Sequence, residues 1–335
     1  MKSSMDKAIV ITSIAPPTEA VRTFARLKGW RLIVVADRKT PDPWECAGVE
    51  LVSVAGQEKL SYAITSKLPW DHYARKMIGY LRAMARGAAC IADTDDDNRP
   101  YAGWGFPPFT ERYRCTPAEL GFVNVYTLYT GERIWPRGFP LERVCDPAAR
   151  LDEDQLVPQS VRVGVWQGLA DGDPDVDAVY RLTVGGECRF QPAEPVVLAP
   201  GTLSPFNSQN TLFCRELFPL LYLPAFVTFR FTDILRGWVA QPIMRQAGYR
   251  LGVTRATVFQ ERNPHDYLQD FESEIPVYLH ARKVLEIADG AVRSRASVAD
   301  NLARVYAALA RAAVVTDDEL RLLDAWLQDW QALVK

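Results

Sequence analysis

Ala88–Asn98 reads AACIADTDDDN, and its reading decides the fold. Ala88–Ala92 is a short apolar run with the character of a buried strand, and it delivers the chain directly into Asp93-Thr94-Asp95-Asp96-Asp97-Asn98. Taken alone, such a cluster reads equally as a solvated acidic turn. An exposed turn does not usually follow a fully apolar strand inside an α/β pattern, so the context favours function. An Asp-x-Asp placed just past a strand lets residues i and i+2 face one cation while the middle residue turns elsewhere. Magnesium and manganese prefer oxygen ligands and take one or two carboxylates, the rest coming from phosphate and water. Asp95 and Asp97 fit that role, with Asp97 the first choice for direct coordination and Asp95 acting directly, through water or on a ribose.

Upstream, the same alternation recurs. Tyr73–Arg86 predicts a helix with Ile78, Leu81, Met84 and Ala85 on its apolar face and Gly87 at its end. Val49–Val54 and Arg31–Ala36 read as strands, the latter closing on Asp37. A helix starts at Thr18 and runs through Lys28, with Gly29 placed to end it. Ala8–Thr12 is the first strand, followed by the loop Ser13-Ile14-Ala15-Pro16-Pro17. Strands spaced by helices predict an α/β, mostly parallel sheet with helices on both faces. Ligands of such sheets bind beyond the carboxyl ends of the strands, where Thr12–Pro17, Asp37–Lys39 and the Asp95 cluster all lie.

Downstream, Pro100–Pro200 is rich in Pro, Gly and aromatics and predicts irregular structure with short strands; within it Asp171–Asp177 (DGDPDVD) reads as a turn-rich acidic loop. Helical patterns return near Arg236–Ala247 and Glu274–Ile287. Ser297–Ala313 and Thr316–Val334 are amphipathic helices that open on the cap signals Ser297…Asp300 and Thr316…Glu319. Leu320, Leu323, Trp326, Leu327, Trp330 and Leu333 form one stripe, suited to packing on the core or to forming a homodimer. The expected division is a catalytic domain over residues 1–288 and a two-helix extension over 289–335.

With 39 basic and 41 acidic side chains, the chain lacks the basic excess of nucleic-acid binders. Six scattered cysteines and three histidines fit reduced thiols better than disulfides or a zinc site. No stretch reaches the ~20 apolar residues of a membrane span, so the expected location is cytoplasmic.

The motifs taken together resemble the STELLO-type glycosyltransferases. The resemblance is carried by Ile11–Glu19 (ITSIAPPTE), Val34–Pro41 (VVADRKTP), Tyr73–Tyr80 (YARKMIGY), Thr94–Asn98 (TDDDN), Phe206–Thr211 (FNSQNT) and Val258–His265 (VFQERNPH), in that order over about residues 8 to 285. A more distant likeness to the reversibly glycosylated polypeptides, which are UDP-arabinopyranose mutases, rests on the triple aspartate, Trp135–Pro140 (WPRGFP), Pro200–Leu203 (PGTL) and Asp233…Gly237-Trp238. Both resemblances imply a GT-A-type, Rossmann-like domain, a UDP-sugar donor and Mn2+ or Mg2+. Plant STELLO proteins carry a membrane anchor; no such segment is expected in this sequence, so the resemblance is carried over for the catalytic module only.

The resemblance also assigns residues. Asp37 would contact base or ribose, or serve a turn; Thr12 and Ala15 would line the base. Arg75 and Lys76, at a helix start where cations are disfavoured without an anion, would meet phosphate or form a surface pair. Arg137 matches the arginine that becomes glycosylated in the mutases, although a guanidinium is a poor nucleophile, and contact with pyrophosphate or acceptor is the milder role; Arg143 is a weaker counterpart. Asp233 matches the position of a base for the acceptor hydroxyl, and an N-cap fits it equally. His265 would complete the metal shell, with Gln260 near the mutase position. Asn207, Gln209 and Asn210 would bind sugar hydroxyls, and Asp96 the nucleotide. The expected activity is sugar transfer from a nucleotide-sugar to an acceptor; the alternatives are a UDP-sugar mutase using Arg137 and a non-catalytic binding protein.

Overall fold

The computed structural model describes residues 7–261 and 266–334. Its strands are β1 (Lys7–Ser13), β2 (Trp30–Ala36), β3 (Val49–Val52), β4 (Cys90–Thr94), β5 (Asn98–Pro100), β6 (Thr110–Cys115), β7 (Gly121–Phe122), β8 (Val157–Gly172), β9 (Val196–Val197), β10 (Thr202–Leu203), β11 (Asn210–Cys214) and β12 (Arg250–Gln260). The helices are α1 (Glu19–Phe24), α2 (Val54–Glu58), α3 (Lys76–Ala85), α4 (Ala178–Thr183), α5 (Thr232–Gln246), α6 (Tyr267–Ala291), α7 (Val298–Arg311) and α8 (Asp317–Val334).

Ten strands form one sheet in the order β3-β2-β1-β4-β11-β8-β6-β9-β12-β5, and β10 pairs with β7 separately. β3, β2, β1 and β4 are parallel. β11 then joins β4 antiparallel, Asn210 opposite Thr94. The sheet is therefore mixed: a four-stranded parallel half continued by strands that pair mainly antiparallel. Side chains alternate faces along a strand, and both faces are covered. Val10, Ile33, Val35 and Ile91 belong to one core with α3, whereas Ile9, Ile11, Leu32, Val34 and Ala92 belong to the other with Phe24 of α1. That is why these strands read as continuous apolar runs. α3 lies close on the sheet because Gly79 has no side chain: a Cβ there would stand 2.5 Å from Val10 Cγ1 and 2.8 Å from Val35 Cγ2.

The largest departure from the sequence reading is β8, a strand of 16 residues inside the stretch expected to be irregular. Its first half, Val157–Arg162, pairs with β6, and its second half is sandwiched between β11 and β12. The glycines that suggested turns are close approaches instead. A Cβ at Gly168 would collide with the Asn210 side chain.

The C-terminal helices form a tail clasped to the body. Leu322, Leu323 and Trp326 are at most 2% exposed and share the core of α3 and α5. Trp326 Nε1 donates to Pro219 O at 2.9 Å, Asp329 accepts from the backbone N–H of Ala63 and Ile64 at 2.8 and 2.9 Å, and the buried Glu319 accepts from the Tyr222 hydroxyl and from the N–H of Ala225 and Phe226. The apolar stripe of α8 is thus consumed internally. No helix among the described residues is long and apolar enough to cross a membrane.

Candidate active site

The carboxyl ends of β1, β2 and β4 open into a cleft of about 330 Å³. Its floor is the aspartate cluster, set in place by Lys76 at the start of α3. The Lys76 ammonium donates to Asp93 Oδ1 at 2.9 Å, Thr94 O at 2.9 Å and Asp95 Oδ1 at 2.8 Å. All three of its donors are thereby used, and despite burial the two carboxylates hold it protonated. Asp93, fully buried, takes Arg236 at 2.8 Å on its other oxygen.

Asp95, Asp96 and Asp97 all line the cleft. Burial pushes the Asp95 carboxyl up to about 7; Lys76 opposes this and the neighbouring Asp97 charge adds to it. Burial also raises Asp96, against the hydrogen bond from Ser13 Oγ. Thr18, the N-cap of α1, donates to Asp96 O at 2.5 Å and ties the cluster to the loop after β1. Asp97 accepts from Gln260 Nε2 at 3.1 Å, and Gln260 in turn accepts from Gln209.

The second wall is an ion cluster. Arg137 grips Asp175 with two bonds of 2.8 Å, reaches Asp233 Oδ2 at 3.0 Å, and donates to Arg230 O. All three side chains are at most 8% exposed. Asp233 Oδ2 also accepts from Ser208 N at 3.1 Å and Ser208 Oγ at 3.2 Å, while its Oδ1 accepts from the Tyr73 hydroxyl at 3.4 Å. Burial alone would raise the Asp233 carboxyl, but Arg137 holds it well below the usual range, and the two carboxylates keep the guanidinium firmly protonated. Gly138, at φ 88° and 2.7 Å from Ile234 for any added Cβ, lets this segment turn against α5.

The third side is the loop end of β2. Asp37 accepts from the backbone N–H of Arg38 at 2.7 Å, Asp71 at 3.0 Å and His72 at 3.1 Å, so it organises the 71–72 turn while lining the cleft. Burial draws the His72 imidazole down to about 4, leaving it neutral, and Nδ1 accepts from Ala74 N at 3.0 Å.

Of the residues singled out in the sequence, Thr12, Asp37, Asp95, Asp96, Asp97, Arg137, Gln209 and Asp233 meet in this cleft. Others stand outside its lining for identifiable reasons. Arg75 is fully buried, bonded to Gln57 Oε1 at 2.8 and 2.6 Å and stacked 3.4 Å from the Trp70 ring, so it faces no phosphate. Lys76 lies beneath the floor. Ala15 offers its carbonyl to Trp44 Nε1 at 2.9 Å. Asn207 donates to Asp175 at 2.8 Å and Asn210 to Thr257 at 2.8 Å, both buried as scaffolding. Arg143 lines a separate cavity and pairs with Asp146 at 3.2 Å. His265 lies outside the described residues. Asp233 sits in the first turn of α5 and does not cap it. Asp175, Ser208, Phe229 and Arg230 line the cleft without having been singled out. The described residues contain no group of three or more His, Cys, Asp or Glu arranged around one metal position.

Comparisons with known proteins agree with the motifs. The family model of STELLO glycosyltransferases matches residues 230–334. Two Arabidopsis thaliana proteins described as "Probable glycosyltransferase STELLO1" and "Probable glycosyltransferase STELLO2" are each 27% identical over 97% of this chain. The matches cover 44% of those proteins, so the chain spans less than half the length of the curated relatives it matches. Among solved structures, a glucosyl-3-phosphoglycerate synthase of M. tuberculosis is similar at 12% identity, covering 84% of this chain and 81% of its own, with a TM-score of 0.37. A second mycobacterial protein is similar at 13% identity, 84% and 76% coverage and the same score. Scores of that size add nothing to the strand order described above. Along 97% of its length the chain is similar to these two STELLO proteins.

Proposed function

We propose that this chain transfers a sugar from a nucleotide-sugar, of the UDP type, to a separate acceptor, with a divalent cation carried by Asp95 and Asp97. The observation that carries the reading is the charge of the cleft. Its lining holds Asp37, Asp71, Asp95, Asp96, Asp97, Asp175 and Asp233 against Lys39, Arg137 and Arg230. Each of those three cations already has an acidic partner: Asp71 at 3.9 Å for Lys39, Asp175 and Asp233 for Arg137, and Glu274 at 2.7 Å for Arg230. A diphosphate would be repelled from such a surface unless a cation entered with it.

The donor set fits a hard divalent ion, which takes one or two carboxylates and fills its shell with phosphate and water. Lys76 occupies only one oxygen of Asp95, and the Asp95 carboxyl is raised by burial first and by the Asp97 charge second, both of which a bound cation would offset. When bound, such an ion stabilises the charge that develops on the departing diphosphate. The chain's own residues do the rest. Asp37, Thr12 and the 71–72 turn border the nucleotide end, and Gln209 and Gln260 stand beside Asp97 where hydroxyls need partners. Asp233 stays ionised and so able to accept the acceptor's hydroxyl proton, but Arg137 makes it a weak base, which suits late proton transfer.

The mutase alternative is less well supported. A guanidinium attacks only when deprotonated, and Arg137 is held in the opposite state by two carboxylates.

Thermal unfolding with UDP and manganese, together and separately, tests the reading. Ligand at about 100 times its Kd stabilises by ~2.7 kcal/mol, a shift expected only with both present and absent in Asp97→Ala. An equal shift in that variant would remove the metal role, and no shift with any nucleoside diphosphate would remove the donor role.

A further inference from the structure

The cavity that Arg143 lines holds about 220 Å³, and its walls come from residues 124–127, 132–135 and 143–150. Asn124 stitches these segments together, its backbone N–H donating to Ala149 O at 2.8 Å and its Nδ2 to Ile134 O at 2.7 Å. Three guanidiniums line the hollow, those of Arg133, Arg143 and Arg150. Asp146, 3.2 Å from Arg143, is the one carboxylate among the described residues that pairs with any of them. Its other oxygen accepts from Ala148 N at 2.9 Å. Glu132 is also on the wall but lies against Cys188, whose thiol is pushed up to about 12 by burial first and by this charge second. Arg133 donates to Cys145 Sγ at 3.2 Å, and Arg143 Nε is buried without a partner. A guanidinium short of partners at a cavity wall is one that an oxyanion satisfies.

We propose that this cavity binds a small molecule through a phosphate group. Planar guanidinium forks match phosphate oxygens in geometry as well as charge. Asp146 answers one of the three cations, and the two that remain match the charge of about −1.5 to −2 on a phosphate monoester at neutral pH. A single carboxylate would leave one of them unanswered. A nucleic-acid strand is the poorer occupant, because the chain carries a net charge of −2 and the arginines line a hollow rather than a stripe. The site is chemically the reverse of the cleft: cations are in excess here, whereas aspartates are in excess there. One short segment serves both, bringing Arg133 and Trp135 to this cavity and Arg137 to the cleft.

Cys145 reports on the site, since its exposed thiol is on the cavity wall and the other cysteines are buried or half-buried. Its alkylation by iodoacetamide is followed by peptide mass spectrometry on the full chain in EDTA, at constant ionic strength. Inorganic phosphate at about ten times its Kd slows that reaction about tenfold by mass action. Acetate at the same ionic strength leaves it unchanged. Glycerol 2-phosphate protects as phosphate does, because the hollow has room beyond one phosphate group. Arg133→Gln/Arg150→Gln, at two exposed positions, keeps the unfolding midpoint and loses the protection, each variant being compared with itself with and without phosphate. Asp97→Ala keeps the protection, which separates this site from the cleft. No slowing at any phosphate concentration, equal slowing by acetate, or protection that survives the double glutamine variant overturns the proposal. Protection by inorganic phosphate but not by glycerol 2-phosphate overturns the small-molecule ligand.

Discussion

Replacing Arg137 with alanine is expected to cost the fold itself about 3–5 kcal/mol, independently of any chemistry. The guanidinium is 5% exposed and its partners Asp175 and Asp233 are 8 and 5% exposed. Deleting it strands two buried carboxylates, and breaking a buried pair costs about 3–5 kcal/mol. Ser208 and Asn207 still donate to these carboxylates, which offsets part of the loss. Against a total stability of ~5–15 kcal/mol, the variant stays folded in the cold and loses much of its margin. Urea unfolding of Arg137→Ala, Asp175→Ala and the double variant measures this, and the double should cost at least ~1 kcal/mol less than the sum, because the pair is in contact. Lost turnover in Arg137→Ala therefore does not by itself mark a nucleophile, and activity must be read where the variant is fully folded. A penalty below ~1 kcal/mol for Arg137→Ala, with additive singles, would refute the account of the cluster as a structural clasp.

Glu319 makes stability depend on pH. Burial raises its carboxyl to about 7, against the hydrogen bonds it accepts, whereas the unfolded chain releases that proton near the ordinary glutamate value. Its contribution is full below that value and is lost as pH rises to about 7, roughly 3 kcal/mol in all; Glu319→Gln should flatten this part of the stability profile, and an unaltered profile would contradict it. Lys76→Met leaves Asp93 and Asp95 without their shared cation, and should destabilise by about 3 kcal/mol, with added manganese recovering some of the loss; stability indifferent to both would tell against Lys76 as the support of the floor. Gly79→Val forces α3 off β1 and β2 and should cost at least ~1–3 kcal/mol, read as a lowered unfolding midpoint.

What the sequence disclosed follows from how local each signal is. β1, β2 and β4 are legible because burial on both faces leaves uninterrupted apolar runs, and Asp95–Asp97 because the cluster is contiguous. α7 and α8 announce themselves through a cap and a stripe. Arg75 and Lys76 show the limit. The two are adjacent and basic at a helix start, yet one helical step turns them to different places, Arg75 toward Gln57 and Trp70, Lys76 beneath Asp95. Nothing in their types distinguishes those fates. β8 was hidden because Gly164, Gly168 and Gly172 punctuate it, and glycine marks a turn or a close backbone approach with the same letter.

Asp175 is the clearest case of a cleft-lining residue that sequence reasoning could not place. DGDPDVD has the composition of a solvated loop, but Val176 is 1% exposed and Asp177 is buried as the N-cap of α4, bonded to Trp135 Nε1 at 2.7 Å. The anchors on either side fix Asp175 opposite Arg137, whose own backbone N–H donates to Asp175 O at 2.9 Å. The acidic loop and the Trp135–Pro136–Arg137 segment are therefore one device, in which the indole holds Asp177 while the guanidinium holds Asp175. That division explains the chemistry of the cleft. The buried cations Lys76, Arg137 and Arg236 each sit on buried carboxylates, so the net charge facing the cleft is the excess of aspartates at its floor. On the proposed function, a surface built that way takes a cation first and a phosphate only through it.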